Sequence, residues 1–225
     1  LAPLYLLLLL LYDPSPRPRN AGRWLLAGFV GGTALLVKQY AIVVLAAYAL
    51  WQVLTIRQAR GSWTMMTRAM GLILCGAIFP ILAFILWHIT QGGTMGGFVQ
   101  ATVIDHLSGH YRSMAAQAPN DRQIGLLVSS GVLLPFAIIS IIKLKLRGDN
   151  SWMTLGCALV LLASASFTAY PRFEMFHLQP ALPFIACVFP VTFLLVLNTG
   201  TPFRHLIRLV AVAAAAYWLF TAGTE

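Results

Sequence analysis

Arg172, Glu174, His177 and Gln179 crowd into YPRFEMFHLQPALP, residues 170–183, between two apolar runs. A guanidinium is a planar fork that can hold a phosphate through two parallel hydrogen bonds. The carboxylate, imidazole and amide beside it add acceptors and donors for the rest of a ligand. In a chain this greasy, such a cluster is costly unless it sits at an interface or lines a polar cavity. The plain alternative is a surface loop joining two helices. The other alternative for Arg172 itself is an ion pair with Glu174, although residues two apart do not face each other on a helix.

Two further groups have chemistry to offer. Lys38 and Gln39 interrupt an apolar stretch that runs from Trp24 to Ile56. An ammonium beside low-dielectric surface is a strong partner for an anion, and equally a group that snorkels to lipid headgroups. The third group is Asp105, His106 and His110. On a helix the two histidines lie one turn apart on one face, a spacing that suits a metal ligand pair. Interfacial hydrogen bonding to water and headgroups explains them as well. Asp105 is a candidate general base, metal ligand or solvated surface group. A divalent metal ion at His106 and His110 is the one cofactor these residues offer. No nucleophile elbow, phosphate-cradling glycine loop or cysteine–histidine pair is present.

The elements that must position these groups are apolar helices. Hydrophobic residues make up 59% of the chain and charged residues 9%, with mean hydropathy +0.80. A helix crosses the hydrocarbon core with about 20 apolar residues, so the expected class is an all-α polytopic membrane protein, one transmembrane domain over residues 1–225. The formal charge of +9 does not point to nucleic acid, because the basic residues fall in short clusters between apolar runs. Cys75, Cys157 and Cys187 lie within such runs, at spacings that fit neither a zinc site nor a disulfide framework, and read as small apolar residues packing between helices.

The opening LAPLYLLLLLLY reads as the tail of a helix whose beginning precedes the sequence, and the chain as a fragment. Trp24–Ile56 is too long for one ordinary span. Charge favours two short helices forming a hairpin around Lys38, because only a hairpin returns Arg57, Arg60 and Arg68 to the side of Arg17, Arg19 and Arg23. Ala69–His88 reads as a full span containing Pro80. Residues 89–123 form a polar loop in which FVQATVIDHLSGHYRSMA contributes a short interfacial helix. Ile124–Ile142 and Trp152–Thr168 cross again, residues 169–180 form the polar loop of Arg172, and two further segments follow. That makes about eight membrane segments. Gly28, Gly31 and Gly32 belong to close helix packing.

Alternation sorts the charges. The Arg17, Arg57, Lys143–Arg147 and Arg204 clusters share one side, which the positive-inside rule makes cytoplasmic. Lys38, Arg112, Arg122 and Arg172 fall outside, with Asp105, Asp121, Glu174, His88, His106, His110 and His177. A site needing carboxylates, imidazoles and cations together can be assembled only there. The short loops point to a bacterial inner membrane with the active face extracytoplasmic.

Two stretches carry a resemblance. WLLAGFVGGTALLVKQYAIVVL (24–45) resembles the glycine-rich helix, Leu-Leu-x-Lys and second helix of polyprenyl-phosphate-sugar-dependent membrane glycosyltransferases. This is the dolichyl-phosphate-mannose–protein mannosyltransferase-like superfamily, with the C-type glycosyltransferase fold. RFEMFHLQPALPFIA (172–186) resembles its later outer loop leading into a Pro-rich helix. The resemblance implies inverting transfer of a sugar from a polyprenyl-phosphate donor to an acceptor hydroxyl of a protein, lipid or glycan. It implies Lys38 and Arg172 as ligands of the carrier phosphate. Gln39, Glu174, His177 and Gln179 would shape the same pocket, and Asp105 and His106 would face the acceptor or a metal. The acidic residues of the family's first outer loop, its catalytic Asp among them, have no match here. The resemblance therefore covers only the carboxyl-terminal part of the membrane domain, and the catalytic base is unassigned. Two other functions compete: a multi-pass transporter or lipid-carrier flippase, and a non-catalytic membrane assembly subunit. Transporters favour midplane sites and repeated halves, whereas here the polar residues gather at one edge without a repeat.

Overall fold

The computed structural model describes residues 1–12, 14, 21–104 and 121–167, with scattered positions between 181 and 216. It divides into two compact units, Leu1–Gln117 and Ala118–Glu225. All regular structure among the described residues is helical.

The first unit contains α1 (Ala2–Leu11), α2 (Ala21–Val37), α3 (Ala41–Gln58), α4 (Trp63–Thr90) and α5 (Met95–Val99). A single π turn, Gln100–Ile104, extends α5. The expected hairpin is present: α2 has 17 residues, α3 has 18, and Lys38, Gln39 and Tyr40 join them. A Cβ built at Gly31 would strike the Leu45 side chain. Each of these residues is seven positions from Lys38, so the chain folds back on itself about that residue.

The most extensive contact in this unit is between α2 and α4. A Cβ at Gly28 would meet the backbone of Ile73 and Ala77. One at Gly32 would meet the backbone of Ala77, and one at Gly76 that of Leu25 and Phe29. Ala27, Ala34, Ala69 and Ala77 are buried around this crossing. Small residues let two helix backbones approach closely, which is how helices associate where solvent supplies no hydrophobic drive. Leu25, Leu26, Leu74, Ile78, Phe79, Leu82 and Leu86 on these two helices are exposed, whereas Trp24 and Ile73 are buried. A water-soluble protein rarely leaves so continuous an apolar surface uncovered.

α3 and α4 are long and apolar enough to cross a membrane. Here α4 differs from expectation: it begins six residues before Ala69 and takes in Arg68. The cause is local. The Ser62 side chain accepts the Met65 N–H at 3.2 Å and caps the helix. The stretch 59–61 has already turned the chain, with Arg60 in the left-handed region at φ 56°. There Gly61 N–H donates to Ile56 C=O at 2.8 Å and Arg60 N–H to Arg57 C=O at 3.0 Å, the paired bonds that close a helix C-terminus. α4 then runs unbroken through Pro80.

The second unit contains α6 (Asp121–Leu146) and α7 (Ser151–Phe167), which pack on each other. Gly148, at φ 71°, supplies the left-handed residue ending α6. Asp149 then caps α7 by accepting the Ser151 N–H at 2.9 Å. Lys145 lies 5.2 Å from the Trp152 ring centroid, bridging the turn by a cation–π contact. Further on, Phe184, Ile185, Val188 and Thr192 are helical and buried.

Candidate functional site

Lys38 is anchored through its backbone. Its N–H donates to Ala34 C=O at 2.9 Å, completing α2, and its C=O accepts from Ala41 N–H at 2.9 Å, starting α3. Gln39 C=O accepts from Ile42 N–H at 3.1 Å. Both side chains are half-buried. The Lys38 backbone thus stands at the tip of a helical pair, bonded to both helix ends. None of α2, α3 or α4 contains a carboxylate.

Beyond the α2 crossing, α4 becomes aromatic. Phe84 and Trp87 have ring centroids 5.4 Å apart, and Phe98 of α5 lies 6.1 Å from both Phe84 and His88. The chain reverses after Gln91 through Gly92 at φ 85°, with Gly93 N–H donating to His88 C=O at 3.0 Å. A Cβ at Gly93 would fall on the His88 imidazole, so glycine there keeps that ring in place. Thr94 accepts the Gly97 N–H at 3.0 Å and starts α5. A short helix therefore begins at Met95, three residues before Phe98, where the sequence reading starts its helix; residues 105–115 of that stretch lie outside the described residues.

A buried polar layer escapes the sequence reading. Tyr48, Gln52 and Thr55 fall on one face of α3, all fully or almost fully buried. Thr55 donates its hydroxyl to Trp51 C=O at 2.9 Å. Its oxygen is then the acceptor for the Tyr12 hydroxyl at 2.7 Å. This bond ties the end of α1 to α3. Gln52 and Trp24 are each fourteen residues from Lys38, on α3 and α2. The Gln52 amide, Trp24 Nε1 and the Tyr5 hydroxyl are buried without a hydrogen-bond partner among the described residues. The signal available in sequence was the i, i+4, i+7 spacing of Tyr48, Gln52 and Thr55 within an apolar run.

Asp105, His106, His110, Arg172, Glu174, His177 and Gln179 lie outside the described residues. Among the described residues no three His, Cys, Asp or Glu side chains gather as metal ligands. Cys157 is buried as expected, whereas Cys75 faces outward on α4; Cys187 lies outside the described residues. Asp149 has its carboxyl held below the usual range by the Ser151 backbone and hydroxyl donors, which marks a helix cap rather than a reactive group. Comparison with family models, curated proteins and solved structures finds no match to this chain.

Proposed function

We propose that this chain belongs to a membrane glycosyltransferase that moves a sugar from a polyprenyl-phosphate donor to an acceptor hydroxyl. The observation that supports the reading is Lys38, held at the tip of the α2–α3 hairpin where the resemblance calls for a phosphate ligand. Lys38 takes the carrier phosphate in this reading with Gln39 beside it in sequence, and Arg172, Glu174, His177 and Gln179 keep the substrate-binding roles that the resemblance implies. Asp105 and His106 face the acceptor or a divalent metal. As the glycosidic bond breaks, negative charge grows on the departing phosphate. A fixed cation is worth most at that point, on the order of 3 kcal/mol for a well-placed donor.

The test is sugar transfer from a hexosyl polyprenyl phosphate in membranes carrying the protein. Lys38→Ala should lower turnover by roughly two orders of magnitude, the equivalent of that energy. Lys38→Arg should retain part of it. Unchanged transfer in Lys38→Ala would refute the phosphate role.

A further inference from the structure

We infer that the aromatic end of α4 is a subsite for the sugar ring of the donor, lying beyond the phosphate site at Lys38. This inference rests on the proposed glycosyltransferase reading and adds to it the residues that would hold the hexose. The geometry begins with the α2–α4 crossing. The stripe of α4 that faces α2 comprises Ala69, Ile73, Gly76, Ala77 and Pro80. Continued at helical spacing, this stripe runs into Phe84, Trp87 and His88. Gly32 abuts Ala77, and α2 ends at Val37 while α4 continues to Thr90. At 1.5 Å per residue, α4 therefore passes the end of α2 by about two turns.

The stripe changes from small to aromatic where α2 stops. Below that level it accepts a helix backbone; above it, no part of α2 remains to cover it. Lys38 and Gln39 lie at the lower edge of this overhang. Phe98 of α5 packs against Phe84 and His88, which leaves Trp87 as the open member, 56% exposed. An exposed indole suits the apolar CH face of a pyranose, and His88 would supply ring nitrogens for its hydroxyls. A phosphate on Lys38 and a sugar one or two turns along α4 matches the order of groups in a hexosyl lipid phosphate. The competing role for Trp87 is an anchor in the headgroup region, where tryptophan is common.

The test compares two probes on the purified protein in nanodiscs: a polyprenyl phosphate and its glucosyl ester. Wild type should bind the glucosyl ester more tightly, by about five- to tenfold, the size expected of one aromatic contact. Trp87→Leu should erase that difference and leave the unglycosylated phosphate bound as before. Trp87→Phe should retain most of it, which separates loss of the ring from loss of fold. Gly93→Ala, which displaces His88, should reduce it partially. Equal binding of both probes by wild type, or an unchanged preference in Trp87→Leu, would overturn the sugar subsite. If Lys38→Ala still abolished binding of both, the phosphate site would survive that result. Failure of both probes to bind would remove both proposals together.

Discussion

Gln52 shows what a single polar side chain costs inside this unit. Its amide is fully buried with both polar atoms unpartnered among the described residues. Burying an unmatched amide costs on the order of 1–3 kcal/mol. Methionine has nearly the same shape and no such penalty. Gln52→Met should raise stability by about 1–2 kcal/mol on the same basis, read as a higher unfolding midpoint in detergent. A lower midpoint would mean that the amide is bonded in the membrane-embedded protein. Thr55 lies one turn further and behaves differently, because its hydroxyl both donates to Trp51 and accepts from Tyr12. Neither residue stands out in sequence, since isolated polar residues in an apolar run carry no mark until helical spacing groups them. Lys38 was legible for the opposite reason: a charge splitting a 33-residue apolar stretch demands an explanation.

At the scale of helices, backbone proximity holds α2 to α4. Gly76 leaves no room for a Cβ against Leu25 and Phe29 backbone. Gly76→Leu should therefore separate the two helices and cost more than about 3 kcal/mol, the upper range of overpacking. The check is thermal inactivation or proteolysis of the reconstituted protein, and wild-type resistance would contradict the packing. The α6–α7 turn is held by a carboxylate instead. Asp149 has a depressed folded pKa, so its contribution is complete above the unfolded value of about 4. It is lost as pH falls through the lower folded value. Protection of the Ser151 amide from hydrogen exchange should decline on acidification below about pH 4, and Asp149→Ala should abolish that pH dependence. The packing role of Gly28, Gly31 and Gly32 was readable from sequence because small residues recur on one helix. The start of α4 was not, because Arg68 looks like a linker charge until the Ser62 cap is seen.

For the whole molecule, the distribution of side chains carries the membrane reading. At the α2–α4 crossing small residues lie inside while Leu25, Leu26, Leu74, Ile78 and Phe79 lie outside, and α3 and α4 are long and apolar enough to cross a membrane. The charge clusters that predicted eight segments and two sides remain the basis of the proposed topology. Asp105 and Arg172 lie outside the described residues. Residue type and the resemblance of 172–186 are what made these two positions legible in the sequence. What joins these levels is one proposal, that Lys38 at the hairpin tip holds the phosphate of a lipid-linked donor, with Arg172 named by the resemblance as a further phosphate ligand. The measurement that tests it most directly is equilibrium binding of a polyprenyl phosphate to the purified protein, wild type against Lys38→Ala/Arg172→Ala. Saturable binding to wild type that weakens at least about tenfold, or 1.4 kcal/mol, in the double variant is the predicted result. Equal binding by both proteins would contradict it.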